Sequence, residues 1–290
     1  MLKICTGFFL ILLTSFIGQA QELTSLNSFT LAEGKTSAET TVNIGRKFLG
    51  NPYVPHTLDI NPTEQLVVNV REFDCTTYLE TVLALSLAWH DAPGKQHSPL
   101  FEQSFRKYLT MIRYRDGRID GYASRLHYFS DWLRDNERKG LLFDVTPDLS
   151  GSMLVTKPVS YMTSATYKYP QLSNPAIFKQ VAQTEAWLNQ QTFSFLPKKN
   201  IALAETQLRE GDIIMLMAAR PGLDMKHVGL AVRHPDGRIH LMHASSDQGA
   251  VVISSDPLSE YVQWHKNISG IRVARLRPGV LLESAVAHGK

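Results

Sequence analysis

Apolar positions along the chain first follow the spacing of helices and later the two-residue alternation of strands. Thr36-Ser37-Ala38-Glu39 has the form of a capping box, and Val42, Ile44 and Phe48 follow it up to Gly50, predicting a first helix. Asn51-Pro52-Tyr53-Val54-Pro55 breaks that helix, and the polar stretch through Pro62 reads as loop. From Cys75 onward, Tyr78, Leu79, Val82, Leu83, Leu85 and Leu87 are dense enough for a helix buried on most sides. Ser98-Pro99 supplies an N-cap and a first-turn proline for the next one, with Phe101, Phe105, Tyr108, Leu109 and Ile112 at helical spacing. The aromatic and polar segment 121–133 predicts a helix running to about Gly140, and Asn174-Pro175 opens another through Val181 and Trp187. Strand and loop signals mix over 141–205.

Past Gly211 the text changes to short β-branched and apolar runs at 212–217, 227–233, 238–243, 251–254 and 270–276, separated by turn signals. These predict an antiparallel sheet. Helices first and strands later, without a repeat or a low-complexity linker, give an α+β class and one domain over 21–290 with a helical insertion at about 95–200.

Residues 1–20 combine Lys3, an apolar run at 8–13, and the small residues Gly18 and Ala20. That is the pattern of a secretory signal peptide cleaved near Ala20, so the mature chain is expected to be exported, to a periplasm or beyond. No later stretch approaches the roughly 20 apolar residues of a membrane span. The remaining length of about 270 residues can bury roughly 70–75% of its extended surface without disulfide staples. A charged fraction of 20% against 43% hydrophobic is that of a folded chain rather than a disordered one. The formal charge of +3 falls by one with Lys3, and no Lys/Arg stripe with interleaved aromatics marks a nucleic-acid surface. A mildly basic exported protein tolerates an anionic polymer such as cell wall.

Cys5 leaves with the leader, so the mature chain keeps Cys75 alone, within Arg71-Glu72-Phe73-Asp74-Cys75-Thr76-Thr77-Tyr78. A lone thiol is either buried as a small apolar side chain or used for its reactivity. Placement at a helix start favours use, because free N–H groups and partial positive charge there lower a thiol pKa and can hold an oxyanion. A cysteine nucleophile needs a base, and there are ten histidines. His288 lies at a tail, His56 and His97 in polar loops, and His90 and His265 in segments without other chemical signal; all read as solvated or packing residues.

The strand histidines divide by geometry. Pro235-Asp236-Gly237 is a hairpin signature, and side chains alternate faces along its strands, so His227 opposes His234 in direction and His240 opposes His243. A three-residue loop at 235–237, with Gly237 in the left-handed bulge position, pairs His243 across from Gly229 and puts it on the face of His227; a two-residue loop separates them. The first register makes Cys75, His227 and His243 a possible thiolate, base and ring-orienting partner. Zinc binding by His240 and His243 is disfavoured, since their odd spacing separates them and no tight carboxylate or cysteine cluster joins them.

Asp74-Cys75 at a helix start, the Gly211-Asp212-Ile213-Ile214 strand, His227-Val228-Gly229-Leu230 and Met242-His243-Ala244-Ser245 occur in the order found in NlpC-type papain-like cell-wall hydrolases. With Asn51-Pro52-Tyr53 and Ser124-Arg125-Leu126-His127-Tyr128-Phe129-Ser130-Asp131-Trp132, the chain resembles the N-acetylmuramoyl-L-alanine amidase-like branch of that superfamily from about Thr36 to Leu276. The resemblance implies a papain-like core, nucleophile Cys75, base His227 through Nδ1 or Nε2, and His243 as third residue. It further implies Tyr53 beside the cysteine, where it either helps hold the oxyanion or merely packs, and a peptidoglycan or muropeptide substrate cut between N-acetylmuramic acid and L-alanine, with no cofactor. A histidine third residue departs from aspartate in carrying no fixed charge. Asp74 suits a helix cap. Arg125 and His127, in the insertion, are candidate substrate contacts; for Arg125 an internal ion pair with Asp131 or Asp120 is the competing reading. A γ-D-glutamyl–diamino acid endopeptidase and a non-catalytic wall-binding protein are the alternative functions.

Overall fold

The computed structural model describes residues 34 and 36–277, so the leader, Cys5 and His288 lie outside the described residues. Helix α1 (Ser37–Arg46) starts at Thr36, whose hydroxyl accepts the Glu39 N–H. Helix α2 (Cys75–Asp91) starts with a capping box in which Thr77 replaces the usual Glu or Gln: Asp74 Oδ1 accepts the Thr77 N–H at 2.8 Å and Thr77 Oγ1 accepts the Asp74 N–H at 2.9 Å. Every residue from Thr77 to Trp89 is buried, as the dense apolar run required. Glu80, inside that helix, is tolerated because Arg113 of helix α3 (Pro99–Arg113) bonds it at 2.7 Å.

Helix α4 (Phe129–Arg138) corrects the sequence expectation. Segment 121–140 is not one helix: Gly121 turns the chain at φ 68°, a single 3-10 turn covers Tyr122–Ser124, and Arg125 pairs in extended form with Tyr114. The N–H of Ser130 at the α4 start is satisfied by Asp224 Oδ2 at 2.7 Å, from far along the chain. Three short strands, β1 (Leu142–Asp144), β2 (Met153–Val155) and β3 (Phe193–Pro197), fall in the stretch where strand and loop signals mixed, so the insertion is helical only in part. Helix α5 (Pro175–Leu188) lies between β2 and β3 and begins at the predicted Asn174 cap.

The predicted strands follow as β4 (Ile213–Ala218), β5 (Met225–Arg233), β6 (Ile239–Ser245), β7 (Ala250–Pro257) and β8 (Ile268–Leu276), with helix α6 (Leu258–Trp264) before the last. All pairings in the sheet are antiparallel, in the order β2-β3-β8-β4-β5-β6-β7, with β1 also on β8. The mixed helix and antiparallel sheet is the α+β class expected. One apolar cluster, including Leu79, Leu83, Met215, Val228 and Met242, joins α2 to the sheet. A second, including Ile214, Leu241, Leu258 and Val262, fills the other face under α6. A third, smaller cluster of Tyr122, Tyr128, Met162 and Val181 holds the insertion. Among the described residues, no helix is long and apolar enough to cross a membrane.

Candidate active site

The β5–β6 hairpin has the three-residue loop. The His234 N–H bonds the Arg238 carbonyl at 3.0 Å, Leu230 pairs with Met242, and the same register continued puts Gly229 opposite His243. A side chain at position 229 could not be accommodated, because its Cβ would stand 2.7 Å from the Met242 carbonyl oxygen and 2.9 Å from His243 Cβ. His227 and His243 therefore share a face: Nε2 of His227 lies 2.6 Å from Nδ1 of His243, with the rings edge to face. This leaves Nδ1 of His227 outside the pair. Among the described residues, buried Nε2 of His243 has no hydrogen-bond partner.

Cys75 sits half-buried at the first position of α2, and the backbone N–H groups of Val228 and Thr76 face its sulfur. Val228 follows His227 in β5, so the thiol faces the strand that carries this histidine, at the residue next to it. The sequence predicted a depressed thiol pKa, and the structure overturns it. Burial, then the Asp74 carboxylate, push Cys75 up to about 12, outweighing the N–H groups. Asp74 caps α2 but also places a negative charge where the helix end was expected to be positive.

Burial, with neighbouring His243 second, holds His227 well below 6.5; burial, then His265, lowers His243 to about 4. Both rings are neutral at neutral pH, so the histidine pair rests uncharged while the thiol rests protonated. Alkylation of the free protein by iodoacetamide is accordingly expected to accelerate about tenfold per pH unit from pH 7 to 9. A plateau below pH 7 would show instead a preformed thiolate–imidazolium pair.

Cys75 opens onto a cleft of about 370 Å³ whose lining includes Tyr53, Asp74, Arg125, His127 and Tyr169. Tyr53 is held by a bridge to Phe73 and by its N–H on Gly249, and burial, then Cys75, raise its hydroxyl to about 12, so it stays a donor. Arg125 is ion-paired, with neither Asp131 nor Asp120 but with Asp59 at 2.7 Å and Glu64 at 3.1 Å, and it lies over the Tyr122 ring. Asp131 pairs with Arg115. Among the described residues, Nε of Arg125 is buried without a partner. His127 Nε2 donates to the Tyr122 carbonyl at 2.9 Å, which leaves Nδ1 as an acceptor; burial, then Arg125, lower its pKa to about 3.

Three further residues stand at the site without a sequence signal. Tyr261 stacks edge to face on His243, and its hydroxyl is raised to about 12 by burial, with Asp247 and Cys75 adding to the shift. His265, expected to be a solvated or packing residue, stacks on Tyr261 at 4.2 Å and contributes to the low pKa of both His227 and His243. His56, read as a loop residue, lines the cleft at φ 63°. No motif marks any of them.

A crystal structure of an N-acetylmuramoyl-L-alanine amidase from Bacteroides uniformis is 39% identical, with 83% of this chain and 99% of that chain covered and a TM-score of 0.76. A Bacteroides fragilis structure carrying the provisional name xylanase is 40% identical, with 80% and 99% covered and a TM-score of 0.75. A Legionella pneumophila protein, 23% identical with 91% and 97% covered and a TM-score of 0.63, shares the fold. No curated protein matches. The family model described as N-acetylmuramoyl-L-alanine amidase-like matches residues 43–271, and the chain belongs to that family.

Proposed function

We propose that this protein is an exported, cysteine-dependent amidohydrolase with a papain-like, NlpC-type core, cutting the amide between N-acetylmuramic acid and L-alanine in peptidoglycan or its fragments. The observation that carries the reading is the hydrogen-bonded His227–His243 pair on the strand whose next residue, Val228, faces the Cys75 sulfur at a helix start beside an open cleft. The family match supports this choice of bond.

The tautomer follows from the role. For Nδ1 of His227 to act as base, its proton must sit on Nε2 and be donated to Nδ1 of His243, whose own proton is then on Nε2. Because the thiol rests protonated, deprotonation accompanies attack. His227 Nδ1 takes the Cys75 proton as the sulfur bonds the lactyl carbonyl carbon, and the backbone N–H groups at the α2 start and the Tyr53 hydroxyl hold the oxyanion. The C–N bond breaks as His227 returns that proton to the alanine nitrogen. Water, deprotonated by His227, then hydrolyses the thioester and restores the thiol.

The cleft suits a long substrate, since an adjoining cavity of about 230 Å³ shares Leu58, Asp59 and Arg125 with it. Arg125, already shared between two carboxylates, shapes this wall rather than offering a free fork, while Nδ1 of His127 is an available acceptor for a substrate N–H or hydroxyl. Glycosidase chemistry is not favoured. It needs two disposable carboxyl groups, whereas Asp74 is bound to Thr77, Glu80 to Arg113 and Asp59 to Arg125.

The test is mass spectrometry of purified muropeptides incubated with the protein. Free disaccharide plus a peptide beginning with L-alanine is the expected result. A cut within the stem peptide would make it an endopeptidase, and intact muropeptides with an unreactive thiol would leave a wall-binding protein.

A further inference from the structure

At the other end of the β5–β6 hairpin, about 20 Å along the strands from His227, stands a cluster the site does not use. The ligand-competent atoms of His234, Asp236 and His240 all lie within 4.8 Å of one another. The sequence shows no tight carboxylate cluster joining His240 and His243; the loop folds Asp236 onto His240. His240 is only 1% exposed, and its Nδ1 lies 2.7 Å from the Ser254 carbonyl oxygen, which can only accept, so Nδ1 carries a proton. In that tautomer the Nε2 lone pair faces outward, yet Asp236 Oδ2 lies 2.9 Å from it. Two acceptors at that separation require a positive centre between them. Oδ1 of Asp236 takes the Arg238 N–H at 2.8 Å, which aims Oδ2 at the ring. His234 Nδ1 lies 3.5 Å from the same Oδ2, and its ring stacks on His240 at 4.3 Å.

A proton on Nε2 would satisfy one of these contacts; a metal ion would satisfy both contacts to Asp236, with the third ligand separation within 4.8 Å. Ligand separations of 2.9 and 3.5 Å bracket the roughly 3.3 Å edge of a tetrahedron with bonds of about 2.0–2.1 Å. A buried imidazole fixed by a carbonyl on its far nitrogen is the usual outer support of a metal-binding histidine. The neighbouring cation Arg238 is engaged by Glu205 and Glu260, and Arg233 by the Gly237 carbonyl. His234 and Asp236 are exposed, leaving an open path and a fourth position for water.

We infer that Nε2 of His240, Oδ2 of Asp236 and Nδ1 of His234 bind one divalent ion of the zinc class, which two imidazoles and a carboxylate suit. The ion clips the hairpin whose register sets His227 beside His243; the inference stands apart from the proposed catalysis. The experiment is calorimetric titration of metal-stripped, tag-free protein with Zn²⁺, repeated in a Cys75→Ala background so that the thiol cannot serve as a ligand. One equivalent bound in both forms is expected, weakened at least tenfold by Asp236→Asn and by His234→Ala. These side chains are at an exposed turn, so circular dichroism of the metal-free variants should match the parent. Absence of binding in Cys75→Ala, or binding unmoved by both turn variants, would overturn the site.

Discussion

Cys75→Ala is expected to lower the rate of muropeptide hydrolysis by a factor on the order of 10⁴–10⁶, the loss seen when a covalent nucleophile is removed. The folded state should barely notice. Cys75 occupies the first turn of α2 half-exposed to the cleft, so loss of the sulfur leaves the apolar packing from Thr77 to Trp89 in place, and the stability change should stay within about 1 kcal/mol. Cys75→Ser should be nearly as inactive, because a hydroxyl beside Asp74 is harder to deprotonate than the thiol it replaces. Steady-state rates on a defined muropeptide, with melting temperatures measured alongside, check both. Alanine-variant activity above one per cent of the parent would remove the nucleophile from the mechanism.

His227→Gln should cost about 10³–10⁴ in kcat, whereas His243→Gln should cost only about 10–10². The difference follows from charge. His243 orients the ring of His227 through one hydrogen bond but, being neutral, offers little to the imidazolium that forms, and a glutamine can keep part of that bond. The pH profile should agree. A base whose pKa is lowered in the folded protein takes up its inactivating proton only at correspondingly lower pH, so kcat/KM should stay level from pH 8 to below 6.5 and fall only in acid. An inflection at or above 6.5 would contradict a buried, neutral His227, and equal losses in both variants would mean that His243 does more than orient.

Such asymmetry could not be read along the chain, although the pairing could. Wherever the cue was local, the sequence determined the outcome. Thr36, Asp74, Ser98 and Asn174 each cap the helix they precede, because a cap needs only a side chain within three residues of the N–H it serves. Gly237, at φ 81°, sets the three-residue loop, and the period of two then carries His243 to the face of His227. The Cys75 helix and the five strands after Gly211 followed from apolar pattern alone.

Tertiary structure decided what depends on neighbours distant along the chain. Helix α4 has no cap of its own; Asp224, 94 residues away, supplies it, which is why the segment from Gly121 read as one helix. Strands β1 to β3 span three to five residues, too few for alternation to show, and become strands by pairing with each other or β8. Arg125 found Asp59 and Glu64 across a loop instead of the acids near it in sequence. The thiol of Cys75 was expected low from its helix end and is high, because desolvation and the charge of Asp74 act through space and together exceed the pull of a few N–H groups. Hydrogen bonds at a helix start are local and legible; burial and electrostatic surroundings sum over every element that packs against a residue, and only the fold brings Tyr261, His265 and the sheet around that site.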